Sequence, residues 1–541
     1  MRRLLLALVL VGCGTPGVGG DAGVDAGDHD AGQADASSSG DAGPTDAGSV
    51  DAGRADAGQV DAGRDAGPGD AGATTADAGT ATLVTVNAPR EMRGVWVATV
   101  SNLDWPASTG LSAAAGRASL EAMVGGLADA GLNAIFFQVR PESDALYAST
   151  LEPWSRVLTG TQGGDPGWDP LAVLISAAHA QGVEVHAWMN PYRALLTAGA
   201  QTASTSVVHT LAADAITYNG QVVMNPASTA VRTHVVDVVK DLLAHYDVDG
   251  LHFDDYFYPY PDAANTPFPD SAQYQAYTSG GGTLNLADWR RGNVDALVSS
   301  VMNTVTTLHP TVRFGIAPFG IYRSGTPSGI SGLSGVDVLY CDAVKWMNQG
   351  WVDYLAPQLY WPTTQSAQSY TTLATWWANG TMGGRHLFPG HATYQLGTSS
   401  SWTLAEYEAQ VAVTRSLSAH DALGDLHFRA ANVLANRSGV LTAFKTSLYS
   451  TPALVPELPR TGASLVPPVP QVTLSAGVAT LAAVPGSTRF FGLYRQAVGG
   501  WELQRVVGAS TASVTLGSGT WAVTAVAPGG AESQGVELVV P

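Results

Sequence analysis

The chain of 541 residues is 45% hydrophobic and only 13% charged, enough for more than one folded unit with a sizeable core. Its net charge of −19 is unevenly placed, since residues 21–80 carry 13 Asp against Arg54 and Arg64. The acidic balance and the lack of any basic stripe argue against nucleic acid as a partner, and two cysteines are too few for a cysteine-based metal site.

The chain opens "MRRLLLALVLVGCG". Arg2 and Arg3 followed by an apolar run too short to span a bilayer predict an export signal over residues 1–12. "LVGC" resembles the lipobox of bacterial lipoproteins, which implies that Cys13 is lipidated and holds the protein to a membrane. An ordinary signal peptide with an incidental cysteine is the alternative. Gly14 stands where a retaining aspartate would be, so the expected location is the cell envelope, at the outer membrane, on a face the residues leave open. Residues 13–87 repeat "DAG" with almost no large apolar side chain and read as a disordered, self-repelling tether. With Cys13 lipidated, Cys341 has no disulfide partner.

From about Arg90 the texture changes to short β-rich runs: "GVWVATV" (94–100), "AIFFQVR" (134–140), "EVHAWMN" (184–190), "GLHFDDY" (250–256), "RFGIAPF" (313–319), "VDYLAPQLYW" (352–361), "HLFPGHATY" (386–394) and "DLHFRAANVL" (425–434). Helical stretches fall between them, one opening on Ser228 as N-cap with an apolar stripe behind it. Strand then helix, eight times over, predicts an α/β fold, a (β/α)8 TIM barrel over residues 88–455. That span exceeds the ~250 residues usual for the fold, so long loops are expected after strands one, three, four and five. A Pro-rich linker (456–467) leads to residues 468–541, whose short alternating strands predict a β-sandwich of fibronectin or immunoglobulin-like type. It reads as an accessory domain, with carbohydrate binding as the alternative.

Side chains alternate along a strand. Arg140 with Gln138 and Glu142, His186 with Trp188 and Asn190, His252 with Asp254, and Gln358 with Tyr360 share one parity near the carboxyl ends of four runs. Barrel enzymes build their sites there, so Asp254 is expected in a polar funnel with Arg140, His186, Asn190 and Gln358. Asp255, on the opposite parity, is expected to hold loop structure unless a turn rotates it inward. Aromatics at the same ends, among them Tyr256, Tyr360 and Trp361, suit stacking on sugar faces, and glycoside hydrolysis needs two carboxyl groups flanking the bond. Other readings stay open: Asp254 in a salt bridge with Arg140 or Arg193, His186 and His252 as satisfied core histidines, or His186, His252 and Asp254 as an open metal site. No HExxH motif supports a metal and no GxSxG elbow a serine nucleophile; neither metal nor cofactor is expected. The residues alone reach a sugar-sized polar cleft.

Six stretches, "EMRGVWVATVSNLDWP", "GLNAIFFQVRPESDALY", "GVEVHAWMNPYR", "DGLHFDDYFYP", "FGIAPFGIYR" and "DYLAPQLYWP", occur in order over about residues 90–450. They resemble the bacterial glycosyl hydrolase-like 10 domain family of barrel lipoproteins. The resemblance implies a barrel acting on cell-wall or other polysaccharide, one member being understood to trim peptidoglycan strands stripped of their peptides. "DGLHFD" is also similar to the fourth-strand motif of the α-amylase superfamily, which implies Asp254 as nucleophile. That superfamily places its acid glutamate after strand five, and "APFGIYR" has none. The acid is therefore sought in Glu142 first, then Asp342 or Asp144, with Asp255 as a further catalytic carboxylate. Arg140, His186, Asn190, Arg193, His252, Tyr256, Gln358, Tyr360 and Trp361 are expected to bind the glycan. The competing function is a non-catalytic glycan-binding barrel that anchors the envelope. Oligomeric state is left open.

Overall fold

The computed structural model describes residues 82–380, 384–460 and 465–541. The expected export signal, Cys13 and the tether as far as residue 81 lie outside the described residues.

Eight parallel strands among the described residues form the barrel: β1 (Met92–Val97), β2 (Ala134–Arg140), β3 (Glu184–Met189), β4 (Gly250–Phe253), β5 (Arg313–Ile316), β6 (Tyr354–Leu355), β7 (His386–Leu387 with Gly390–Ala392) and β8 (Gly424–Phe428). β7 breaks at Phe388-Pro389, where proline offers no N–H to the ladder. Its first half pairs with β6 and its second with β8; β8 pairs with β1, and the ring closes. A main helix follows each strand, with shorter helical turns in several loops: α1 (Ala113–Ala128), α2 (Pro170–Ala180), α3 (Thr229–His245), α4 (Leu286–Leu308), α5 (Ala343–Asn348), α6 (Tyr370–Asn379), α7 (Leu404–Ser416) and α8 (Ala430–Leu434). The expected TIM barrel is thus found, and the last run, 425–434, divides into β8 and α8. Ser228 caps α3 as expected, its Oγ accepting from Val231 N at 3.3 Å.

Strand parity divides the core into two. Ile135, Phe137, Val185, Ala187, Leu251 and Phe253 face the helices, while Trp96, Phe136, Trp188, Tyr354 and Phe388 fill the barrel. His186 and His252 share that interior, both fully buried. The Trp96 indole N–H donates to His252 Nε2 at 3.1 Å, so the proton of His252 is on Nδ1, 3.0 Å from the Tyr354 hydroxyl. The hydroxyl then donates to His186 Nδ1 at 3.2 Å, and His186 Nε2 donates to Glu184 at 3.1 Å. Burial holds His252 neutral, well below the ordinary histidine range, with His186 adding to the effect.

Long excursions follow β2 (141–169), β3 (190–228), β4 (254–285) and β5 (317–342), the first of which was not expected. The β3 excursion carries a small sheet of Arg193–Leu195, Gln221–Met224 and Ala215–Tyr218.

The C-terminal strands form the expected sandwich, a three-stranded sheet (β9 Gln471–Ser475, β10 Val478–Ala482, β13 Ser513–Thr515) on a larger one (β11 Phe490–Ala497, β12 Gly500–Gly508, β14 Gly519–Val526, β15 Gly535–Val540). Leu83–Val84, assigned above to the tether, adds an edge strand beside β15. The "FFGLY" start of β11 is buried throughout because its sheet is covered on both faces. Phe491 and Leu493 meet the smaller sheet, whereas Phe490 and Tyr494 cluster with Leu454 at the end of the barrel segment. Arg489 fastens this contact. It pairs with Asp247, and its Nε lies 3.0 Å from Asp249 Oδ1. Burial works against the Asp249 charge, yet His179 and Arg489 hold its carboxyl well below the usual range. Arg313, opening β5, donates to Pro456 O at 2.6 Å and Gly529 O at 3.2 Å. These anchors lie at the amino ends of β4 and β5, so the sandwich seats on the barrel face opposite the carboxyl-end loops. The start of the expected Pro-rich linker packs against the barrel: Leu458 is buried, and Arg460 Nε bonds Asp353 at 2.8 Å. No helix among the described residues is long and apolar enough to cross a membrane.

Candidate active site

β4 delivers Asp254 to the carboxyl mouth of the barrel on the same parity as His252, and the neighbouring β3 meets it in register. Trp188 pairs with His252, so Trp188 and Asn190 both reach the carboxylate. Trp188 Nε1 donates to Oδ2 at 3.1 Å, and Asn190 Nδ2 lies 3.2 Å from each oxygen. Among the described residues Asp254 has no ion-pair partner, neither Arg140 nor Arg193 forming the alternative salt bridge with it. Burial raises its pKa to about 7, Arg193 opposing and Asp255 adding to the rise.

Asp255 is brought inward. A turn in which Phe257 N bonds Asp255 O at 3.0 Å directs its side chain to the Tyr260 hydroxyl and to Gln358 of the segment after β6. Burial raises its carboxyl above the ordinary range, with those two donors opposing the rise. Gln358 also donates to Ala317 O at 3.1 Å. The rim is aromatic. Tyr256 lies edge-on to Tyr260 at 5.4 Å beneath the Arg193 guanidinium, 5.1 Å from its ring. On the far side Tyr360 stacks on Phe428 at 5.8 Å, with Tyr394 edge-on to both. Tyr256, Tyr260, Tyr360, Tyr394 and Phe428 all remain partly exposed.

Several expected contacts are corrected. The ladder slips at a bulge between Gln138 and Arg140, which sets Arg140 opposite Met189 instead of the interior row. Arg140 is 1% exposed and grips Glu152 through Nε at 2.7 Å and Nη2 at 2.5 Å, with Nη1 on the carbonyls of Asn190 and Pro191. It holds two loops together and has no surface for a glycan. His186 and His252 face inward as expected, but lie deeper than the mouth with every ring nitrogen engaged, so they serve the core and offer no lone pair to sugar or metal. Among the described residues no group of three or more His, Cys, Asp or Glu could hold a metal ion. Asn190 is fully buried and positions Asp254; its own Oδ1 accepts from Tyr192 N and Arg193 N at 3.2 and 2.8 Å. Trp361 packs edge-on to Phe319 at 5.8 Å in the outer core.

The acid candidates fare differently. Glu142 is occupied by Leu196 N and by Arg156 Nε at 3.2 Å, so its carboxyl is tied to the excursions after β2 and β3. Asp342 caps α5, its Oδ1 accepting from Lys345 N at 3.2 Å and from the Tyr322 hydroxyl at 3.0 Å. Asp144 is raised to about 7 by burial and by Glu142, but is fully enclosed. Trp188, Tyr260, Tyr394 and Phe428 were not foreseen as site residues. Trp188 and Phe428 sit on the inward parity at strand ends, a signal present in the sequence.

The glycosyl hydrolase-like 10 family model matches residues 91–407. The chain belongs to this family. It is similar to glycosyl hydrolase YngK of Bacillus subtilis, 37% identical over 395 residues that span 70% of this chain and 75% of that protein. It is similar also to glycosyl hydrolase DigH of Escherichia coli K12, 38% identical over 341 residues, 58% of this chain and 76% of that one. In the family region, 91–407, lie all of the mouth residues above except Phe428; the sandwich lies beyond it.

Proposed function

We propose that this protein is a glycoside hydrolase of the cell envelope, held to a membrane through lipidated Cys13 and acting on the glycan strands of peptidoglycan or a related polysaccharide. One observation carries the catalytic part of the reading. Asp254 is buried at the barrel mouth with no ion-pair partner among the described residues, and its pKa, raised to about 7 by burial against the opposing charge of Arg193, leaves it able to give and take a proton near neutrality. A carboxyl group in that state suits protonation of a departing glycosidic oxygen. Tyr256 and Tyr260 on one side, and Tyr360, Tyr394 and Phe428 on the other, offer ring faces to a sugar, with Gln358 and Arg193 as polar contacts. The names of the two relatives support hydrolysis of a glycan; the acidic tether and the lipobox-like start support the envelope.

The test is release of new reducing ends from purified glycan strands, with and without stem peptides, by the wild-type chain and by Asp254→Asn. Release that the substitution abolishes in a folded protein is the expected result. Binding without release would point to the anchoring barrel instead.

A further inference from the structure

Most buried carboxylates among the described residues have a cation beside them. Glu142 has Arg156, Glu152 has Arg140, Glu184 has Arg313, Asp249 has Arg489, Asp270 has Arg290, Asp295 has Lys345 and Asp353 has Arg385, while Asp425 meets the His391 ring. Three have no ion-pair partner: Asp144, Asp254 and Asp255. Asp144 is closed off, its oxygens on Glu142 N at 3.2 Å and Gln162 Nε2 at 3.4 Å. That leaves two carboxyl groups at the mouth, on consecutive residues at the end of one strand.

This placement conflicts with the usual two-carboxylate glycosidase, in which the groups flank the bond from opposite sides, roughly 5–9.5 Å apart. Asp254 and Asp255 leave the end of one strand, Asp254 toward Trp188 and Asn190 and Asp255 toward Tyr260 and Gln358, and the other candidate carboxylates are paired with arginine, used as a helix cap or enclosed. The attacking group must then come from elsewhere. On a 2-acetamido sugar it is already present, because the acetamide carbonyl oxygen lies within reach of the anomeric carbon.

We infer that the enzyme works by substrate assistance on 2-acetamido glycans, with Asp254 as the acid and base and Asp255 as the anion that orients the acetamide. The inference rests on the glycosidase reading above. In the first step the acetamide oxygen bonds to C1, the C1–O bond to the leaving sugar breaks, and the leaving oxygen takes the Asp254 proton. The product is an oxazolinium ion whose N–H donates to the Asp255 carboxylate. In the second step water adds to C1 and passes one proton to Asp254. The C1–O bond to the acetamide breaks, and a hemiacetal of retained configuration leaves. Two features divide the roles. Asp255 receives the Tyr260 hydroxyl and Gln358, donors that favour the anion against the burial that raises its carboxyl; Asp254 receives the indole and amide N–H groups of Trp188 and Asn190 and the Tyr256 backbone N–H, with Arg193 opposing its rise.

The experiment uses the full chain and peptide-free glycan strands. Proton NMR follows the anomer first released, and thiazolines of N-acetylglucosamine and N-acetylmuramic acid are added as oxazoline mimics. Retention, inhibition by one of the thiazolines, and a fall of about 100-fold in kcat for Asp255→Asn with KM nearly unchanged are expected. Inversion, indifference to both thiazolines, or a glycosyl group trapped on either aspartate by a 2-fluoro glycoside would overturn the inference and leave the glycosidase reading intact. Absence of release from every acetylated strand would defeat that reading itself, and this one with it.

Discussion

Asn190 faces Asp254 across β3 and β4, with its Nδ2 3.2 Å from both carboxylate oxygens. The amide cannot turn round, because its Oδ1 accepts the backbone N–H groups of Tyr192 and Arg193. One side chain therefore ties the start of the β3 excursion to the proton carrier.

Asn190→Asp keeps the acceptor for the Tyr192 and Arg193 N–H groups but sets a second carboxylate against Asp254. Two such groups in contact resist joint ionisation. The alkaline limb of the pH–rate profile is expected to move up by about one unit or more, with kcat reduced ~10-fold or more. A profile unmoved from wild type would mean that Asp254 is not the titrating acid.

Asp254 should also make stability depend on pH. Its folded pKa of about 7 stands above the ordinary 3.8. Between those values the native state binds the proton more tightly than the unfolded chain, so stability falls as pH rises from about 4 to about 7 and stays reduced above. Asp254→Asn removes the penalty. Its gain over wild type, on the order of 2–4 kcal/mol at pH 8, should shrink to nothing by pH 4, as chemical denaturation at the two pH values will show.

Arg140 and Glu152 form a pair that burial would forbid to either alone. Despite burial, Arg140 and His234 hold Glu152 at about 2, against an ordinary 4.5. The sign is opposite to that of Asp254: this contribution is full above about 4.5 and is lost as pH falls toward 2. Arg140→Met strands the carboxylate and is expected to cost about 3–5 kcal/mol, measured by urea unfolding at pH 7. In the protein that remains folded, KM for glycan should stay within about two-fold of wild type, since no part of Arg140 reaches the mouth.

Arg489 joins sandwich to barrel through Asp247 and the buried Asp249. Arg489→Ala should lower the melting temperature and separate one calorimetric transition into two, because the barrel then loses its ion pairs to the sandwich at Asp247 and Asp249, and Asp249 keeps the His179 contact within the barrel. Hydrolysis by the folded protein should persist, as the sandwich seats on the face away from the mouth.

Tyr360 stacks on Phe428 and is partly exposed at the rim. If it carries a sugar face, Tyr360→Ala should raise KM ~10-fold with a smaller change in kcat, read from steady-state release of reducing ends.

Much of this was legible in the chain. Eight apolar runs with helices between them lead to a barrel because a parallel strand buried on both faces must be apolar and must return through a helix. Ser228 announced α3 because an N-cap is a local interaction. Asp254 could be found because β4 is regular and alternation along it is strict. The sandwich strands showed in their turn spacing, although Leu83–Val84, too short to carry a pattern, passed for tether.

What the sequence left undecided needed distances. Alternation told which face His186 and His252 occupy but not how deep along the barrel axis they sit, and depth separates a core histidine from a ligand. It failed at Arg140, where a bulge after Gln138 changes the parity without any mark in the composition. Glu142 looked free because Arg156 and Leu196 meet it only once the excursions after β2 and β3 fold together. Asp255 entered the site through a turn, and Arg489 found Asp249 across two domains. The sequence by itself determined the fold, since periodic burial is a property of each segment; the tertiary structure alone decided which carboxylates are neutralised, since ion pairing depends on residues that the chain keeps far apart.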